Sequence, residues 1–336
     1  MNNNVTTQFT NEQHPTLQLL ANADFLGTGA IEINMYEREI FDIVRRTSPT
    51  LEILNKPMAQ GQPHRYFEQT AIATGAFTDP RNISPSATSP TRVERYATIK
   101  ALVAQSNISL FDKEVTQQQG QFAQVIGQDI DDILNGIIIT SANAIWNGTD
   151  TSLTAPTTNQ YVGLLTQITQ QATILTGSSI IDGLKAQIAL MVSNINYRVK
   201  PDVIIVNPIL GDLIDRETKA QQRILDQVEV TAGLKVNAIS TQAGLIPILT
   251  DPFLPATTDT SYGFPAPPAN EHNYFAAILT RNLVEMPYVN PNGDSNPRLF
   301  QLGLLGNLTG QYVGIKFDAI LAKGASYAHS IVAVQR

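Results

Sequence analysis

The sequence predicts an α+β fold built along a single long helix, and three stretches carry that prediction. Ser109 to Gly148 keeps a helical period, Arg65 to Ser109 reads as two long strands around a Pro-rich tip, and Pro201 to Pro208 is a buried strand feeding a helix. In the first stretch apolar residues recur at Val115, Phe122, Ile126, Ile130, Ile133, Ile137, Ile138, Ala142 and Ile145, with no proline among them. Ser109 and Asp112 have the spacing of an N-cap and a first-turn acid, and Asn147-Gly148 predicts a left-handed stop. At ~1.5 Å per residue the helix would run roughly 50 Å, a spine for sheets or subunits packed along one side. Gly120, Gly127 and Gly136 each cost about 1 kcal/mol against Ala in a free helix. They read either as tolerated glycines or as points of close backbone approach.

From the start of the chain, residues 1–30 are polar and rich in Thr, Asn and Gln, with one apolar patch at Leu17, Leu19 and Leu20, and read as an extended arm. Ile33, Tyr36, Ile40, Phe41 and Val44 then lie at helical spacing, with Glu37 and Glu39 early and Arg45-Arg46 late, in the sense the helix dipole favours. Ser48-Pro49 ends that helix. Arg65 to Ile72 reads as one strand and Arg92 to Ser109 as its return, with Gly75, Pro80, Pro85 and Pro90 in the tip between them. Such a ribbon cannot bury itself on either face, and an isolated hairpin is marginal in water. A neighbouring subunit is the economical way to order it.

Past the spine, Thr149 to Asn159 is a polar linker, and Tyr161–Leu175 and Ile180–Tyr197 read as helices. The second carries Leu184, Ile188, Met191, Val192 and Ile195 on one face. The Pro-bracketed strand runs into a short helix, Ile209 to Lys219. Strand signals then crowd together at Val228–Thr231, Leu234–Ser240 and Leu245–Asp251. After a Pro/Thr-rich loop from Pro252 to Asn270, strands return at Tyr274–Thr280, Arg298–Leu305, Tyr312–Ile320 and Ser330–Val334.

Composition narrows the function. The 336 residues are 43% hydrophobic, which is globular, and only 15% charged, which suits a surface largely covered by neighbours. A net charge of −7 gives no general affinity for nucleic acid. The absence of cysteine removes disulfide and thiolate chemistry, and no apolar run approaches the ~18 residues of a membrane span. The opening Met1-Asn2-Asn3-Asn4 lacks signal-peptide character, so a cytoplasmic origin is expected.

Catalytic patterns are equally thin. Gly27-Thr28-Gly29 begins like a dinucleotide loop but has neither the third Gly nor a preceding strand, and reads as a turn. No phosphate loop or nucleophile elbow occurs. His14, His64, His272 and His329 are far apart in the sequence, and Asp129, Asp131 and Asp132 would need further ligands to hold a metal. No catalytic, cofactor-binding or metal residue is therefore assigned.

The order of elements resembles the major capsid proteins of tailed bacteriophages, whose shared architecture is the Hong Kong 97 (Johnson) fold. The resemblance spans the chain from about Phe41. It rests on the ribbon leading through Leu110-Phe111-Asp112 into the spine, on Pro201 to Pro208, on Ile246 to Pro255 and on Ala322 to His329. It implies an N-terminal arm at 1–48, an E-loop at 49–108 overlapping an adjacent subunit, and a P-domain spine at 109–150. It further implies an A-domain at 151–279 around a local symmetry axis, and P-domain strands returning at 280–336. Arg65, Glu68, Asp79, Arg81, Arg92, Glu94 and Arg95 of the E-loop are expected to meet partners on a neighbouring subunit.

By the same resemblance the chain would be a non-enzymatic subunit forming pentamers and hexamers of an icosahedral head around double-stranded DNA, with no cofactor. Its partners would be further copies, portal, scaffolding and cement proteins, and DNA on the inner face without sequence specificity; no membrane is implied. Assembly would take place in the host cytoplasm and end in the virion. Many relatives carry a scaffolding segment before the arm. This chain begins at Met1 without one, so scaffolding is expected from a separate protein. Some relatives join subunits through an E-loop lysine, but the tip between Ala73 and Thr91 has none. Two other readings stand beside this one: an encapsulin-type compartment, and an oligomeric cytoplasmic enzyme with its site in the α/β lobe.

Overall fold

The computed structural model describes residues 48–75, 77–81, 83, 88–109, 111, 114, 125–221, 226–231, 234–305 and 309–336. The arm, its helix with Arg45 and Arg46, the Gly27 turn, and most of the spine before Val125 lie outside these residues. In chain order the helices are α1 (Pro49–Ile53), α2 (Val125–Asn147), α3 (Leu164–Gln167), α4 (Ile180–Val192) and α5 (Pro208–Ala220). The strands are β1 (His64–Ala71), β2 (Thr91–Ala97), β3 (Lys100–Ser109), β4 (Gln171–Ile174), β5 (Val203–Val206), β6 (Asp226–Thr231), β7 (Leu234–Thr241) and β8 (Gly244–Thr250). They continue with β9 (Ala256–Thr257), β10 (Asn273–Leu279), β11 (Val284–Glu285), β12 (Arg298–Leu305), β13 (Thr309–Asp318), β14 (Leu321–Ala322) and β15 (Ser330–Gln335).

β5 is the centre of the α/β lobe. All four of its residues are buried, and it pairs antiparallel with β10 and parallel with β8 inside an eight-stranded sheet ordered β4-β15-β10-β5-β8-β7-β6, with β9 on β10. Alternate residues feed different cores because successive side chains leave a strand on opposite faces. Val203 and Ile205 join Trp146, Leu164, Ile168, Phe275 and Ile331 on one face, while Ile204 and Val206 join Leu184, Ile188, Met191, Leu210 and Ile214 on the other. Each such side chain contributes about 1.5–3 kcal/mol by leaving water. The covering helices are capped as their sequences dictate. Asn207 accepts from Ile209 N at 3.0 Å ahead of Pro208, and Ser179 accepts from Asp182 N at 3.2 Å. Glu217 of α5 takes Ile180 N at 2.8 Å, joining the two helices.

A second sheet, β12-β13-β3, lies against the spine. Ile133 and Ile137 of α2 pack on Tyr312, and a Cβ on Gly314 would stand 2.7 Å from Ile137 Cδ1 and 2.8 Å from Ile133 Cγ2. Glycine there lets the helix settle onto the strand. Deeper in, the Lys316 ammonium lies 2.7 Å from Asp318 and donates to Ser141 at 3.2 Å, while the Tyr161 hydroxyl donates to Asp318. Burial first, and then the Asp318 charge, push the Tyr161 phenol well above its usual range.

Several sequence expectations change. The return run from Arg92 is two strands: β2 pairs with β1, but β3 pairs along its length with β13, so the chain changes sheets at Thr98-Ile99. Residues 161–175 hold only one turn of helix, and Gln171–Ile174 instead forms an edge strand parallel to β15. α4 ends at Val192, and Ile195 is 98% exposed. Ser330–Gln335 does not return to the spine's sheet but lies between β10 and β4. Gly148 is not left-handed; a Cβ there would collide with the carbonyls of Tyr161 and Ala144 and the amide of Gly163. A Cβ on Gly127 or Gly136 would meet no described atom, so no close approach among the described residues explains them.

Candidate assembly interface

β1 and β2 form a two-stranded sheet that, among the described residues, pairs with no other strand. Its register runs from His64↔Ala97 to Gln69↔Arg92. The alternation of β1 turns His64, Tyr66, Glu68 and Thr70 toward the body and leaves Arg65, Phe67, Gln69 and Ala71 outside. Directly opposed residues share a face, so Tyr96, Glu94 and Arg92 join that outer surface.

The root of this ribbon is fixed by packing and polar contacts together. Ala97 is fully buried with Ala319 and Leu321, against Tyr66 and Leu153. Thr98 N donates to Leu153 O at 3.1 Å. The Gln62 amide clamps Ile99 from both sides, accepting from its N–H at 2.9 Å and donating to its carbonyl at 3.2 Å. Beyond the root the outside is apolar in a way a lone ribbon cannot use: Phe67 is 73%, Ile72 70% and Ile83 75% exposed, and Phe77 is fully so. Sequence reasoning named the charges of this ribbon and passed over these side chains. The signal was present in the absence of any partner run for Ile72, Phe77 and Ile83.

The charged residues expected to meet a neighbour also have partners within the ribbon. Arg65 pairs with Glu94 at 2.7 Å and lies over the Tyr96 ring, and Arg95 pairs with Glu68 at 3.2 Å. Asp79 accepts from the backbone N–H of Arg81 at 2.9 Å. Four of the seven predicted interface residues therefore pair with one another across the ribbon, because cross-strand neighbours on one face are within reach of long side chains. Arg92 is exposed and stands opposite Gln69.

Two cavities flank β1. One of about 400 Å³ lies between Tyr66, Glu68, Arg95, the 151–154 loop and the 322–326 turn. Another of about 650 Å³ is bounded by Pro57, Gly61, His64, Glu285 and Lys323. Among the described residues no group of three or more His, Cys, Asp or Glu side chains could hold a metal ion. Asp131 and Asp132 are exposed on the spine, and partial burial followed by the charge of Asp132 raises the Asp129 carboxyl. His329 is interior, while burial lowers the His64 imidazole at the ribbon root. No helix among the described residues is long and apolar enough to cross a membrane.

No protein-family model matches the sequence, and no curated protein does. Solved structures match nearly end to end. A chain of the head structure of Helicobacter pylori bacteriophage KHP40 superposes with a TM-score of 0.63 at 10% identity, covering 94% of this chain and 96% of that one. A chain of Gordonia phage Cozz gives 0.62 at 10% identity, with 99% of each chain covered. The chain has the Hong Kong 97 fold. The same fold includes the holo-SrpI encapsulin of Synechococcus elongatus, at a TM-score of 0.56 and 12% identity over 94% of each chain. The root at Ala97 and Gln62 fixes the ribbon to the rest of the chain.

Proposed function

We propose that this chain is a major capsid protein, assembling into pentamers and hexamers that close an icosahedral phage head around double-stranded DNA. One observation carries the reading. A two-stranded ribbon that, among the described residues, joins no other sheet exposes Phe67, Ile72, Phe77 and Ile83, and exposed apolar surface of this kind marks a protein interface. In this reading residues 49–108 form the E-loop, which lies over the next subunit, with the arm at 1–48 ahead of it. The spine at 109–150 and the strands β12 and β13, on which the end of the E-loop segment pairs as β3, form the P-domain, and 151–279, extended by β15, forms the A-domain. The ribbon interface takes its affinity from the aromatic and aliphatic side chains. Arg65, Glu68, Asp79, Arg81, Arg92, Glu94 and Arg95 are the charged residues offered to the neighbour, with Arg65–Glu94 and Glu68–Arg95 also paired across the ribbon.

The subunit is structural rather than catalytic. Portal, scaffolding and cement proteins would be its partners, and packaged DNA would meet the inner face without sequence readout. Assembly would occur in the host cytoplasm and the product would be the virion. The likeness to the SrpI encapsulin gives a second reading, a cargo-filled protein compartment; the length of the ribbon favours the phage head. Negative-stain microscopy of the purified protein separates these. Large shells support the capsid reading, small cargo-filled shells the encapsulin, and discrete small oligomers overturn both.

A further inference from the structure

A carboxamide side chain and the backbone N–H that follows it react most readily in the dipeptide Asn-Gly, because glycine has no Cβ to obstruct their approach. Asn-Gly occurs three times in the chain, at Asn135-Gly136, Asn147-Gly148 and Asn292-Gly293, and the fold treats the three differently. Gly136 lies inside α2, where its amide belongs to the helical ladder and cannot turn back to the preceding side chain without opening a turn. Asn147 ends the same helix with its carboxamide held on both sides. Its Nδ2 donates to Asn143 Oδ1 at 2.9 Å and to the Phe253 carbonyl at 3.2 Å, and its Oδ1 accepts from the Tyr262 hydroxyl at 3.1 Å. Gly148 behind it is buried, and its carbonyl accepts from Gly163 N at 3.3 Å.

Asn292 and Gly293 are exposed in the loop between β11 and β12. The residues around them fix its backbone. Asn290, only 4% exposed, accepts from Asn292 N at 3.0 Å through its side chain and donates to the Asp294 carbonyl at 2.7 Å. The Gly293 carbonyl accepts from the Tyr288 hydroxyl at 2.8 Å, and Asp294 accepts from Asn296 N at 3.0 Å. Among the described residues no hydrogen bond holds the Asn292 carboxamide itself. The Gly293 amide makes one turn bond, to Asn290 O at 3.0 Å, and Gly293 sits at φ +75°, where glycine is unstrained. Asn290 and Asn296 both precede proline, which has no N–H to give up. Both reacting groups are thus accessible at Asn292 and at neither of these neighbours.

We propose that Asn292 is a site of spontaneous covalent modification, closing a ring on its own backbone and opening to aspartate and isoaspartate. The Gly293 amide gives its proton to solvent base and its nitrogen bonds to Asn292 Cγ. The Cγ–Nδ2 bond breaks, and the departing nitrogen takes up a proton and leaves as ammonia. Water then opens the five-membered imide. Attack at the side-chain carbonyl gives aspartate, and attack at the main-chain carbonyl gives isoaspartate, whose backbone runs through the side-chain carbon. No atom changes oxidation state, so no cofactor or oxidant is needed. Either product adds one negative charge beside Asp294 to a chain of net charge −7. Isoaspartate also inserts a methylene ahead of Gly293, which displaces its carbonyl from the Tyr288 hydroxyl. The chemistry is independent of the capsid reading.

The test incubates the full chain at mildly alkaline pH, folded and, in parallel, unfolded in guanidinium, and follows each asparagine by mass spectrometry of proteolytic fragments. Cleavage after Arg281 and Arg298 isolates Asn292 from the other two sites. In the unfolded chain all three Asn-Gly sites should convert at similar rates. Folding should slow Asn135 and Asn147 by about tenfold or more, the cost of opening a helical turn or three hydrogen bonds. It should slow Asn292 by less than about fivefold, the cost of one turn bond. Isoaspartate in the folded chain, read by enzymatic methylation of its carboxylate, should disappear in Asn292→Gln. Protection of Asn292 as strong as that of Asn135 and Asn147, or undiminished isoaspartate in Asn292→Gln, overturns the proposal.

Discussion

Lys100 Nζ lies 2.8 Å from Asp150 Oδ2, and the pair ties the start of β3 to the loop after the spine. The Asp150 side chain has no exposed surface and Lys100 is only 12% exposed. Asp150 also accepts from Thr151 N and Thr157 N, each at 2.9 Å, and from the Thr157 hydroxyl at 3.0 Å. Burial pushes its carboxyl up, but Lys100 and these donors outweigh it and hold the group well below the usual carboxylate range. Its contribution is therefore present above the unfolded value, near 3.9, and is lost only as pH falls through the lower folded one. A single loop covers the pair, so solvent screening limits its worth. Lys100→Met or Asp150→Asn should cost about 1–3 kcal/mol in a urea titration at pH 7, and the wild-type pair should survive at pH 4.5.

The same pair bears on how subunits are joined. Lys100 is already committed to Asp150 and to the Thr158 carbonyl at 2.5 Å, and the tip from Ala73 to Thr91 contains no lysine. Boiling assembled particles in denaturing detergent should release one band near 36.6 kDa. A ladder of covalent multimers would contradict a non-covalent shell.

What was legible in the sequence, and what was not, divides by the distance over which each residue is decided. Pro201 to Pro208 could be read directly because four consecutive aliphatics between prolines fit only a strand buried on both faces, and Leu184, Ile188 and Met191 marked the covered face of α4 locally. The break at Thr98-Ile99 could not be read, because β3 owes its place to β13, over 200 residues later. Gln171–Ile174 looked helical until β15, from the end of the chain, supplied its hydrogen-bonding partner. At the interface the charges were visible but their register was not: Arg65 and Glu94, expected to meet a neighbour, also pair across their own ribbon.

Asp251 is the hub where the chain entering from the arm meets the end of the spine. It is fully buried and accepts from Ser48 Oγ at 2.7 Å, Trp146 Nε1 at 3.1 Å and Phe253 N at 2.9 Å, and also from the Thr50 hydroxyl. Asp251→Ala leaves these donors without an acceptor and should cost about 3–5 kcal/mol in chemical denaturation. Thr50→Val removes one donor and should cost about 1–2 kcal/mol.

His329 gives the fold an acid limit. Its Nδ1 accepts from Thr280 N at 3.2 Å and its Nε2 faces the Lys323 carbonyl, which fixes the neutral tautomer with the proton on Nε2. Burial pushes the imidazole down to about 4, despite that carbonyl and the Asp202 charge acting the other way. Since the unfolded value is ~6.5, its contribution is complete above that pH and is lost as pH falls toward the folded value. Wild-type stability should drop by about 2–3 kcal/mol more between pH 7.5 and 4.5 than that of His329→Asn. Parallel pH profiles would remove His329 as the cause.

The central claim is that the ribbon closes shells and is not needed to fold the subunit. Its most direct test is electron microscopy of particles formed by the full chain and by a chain lacking Thr74–Pro90, with the melting of each unassembled subunit measured alongside. The account predicts closed shells from the full chain, and from the deletion a subunit of unchanged melting temperature that forms none. Shells of wild-type size and stability from the deleted chain, or a subunit that no longer folds, would contradict it.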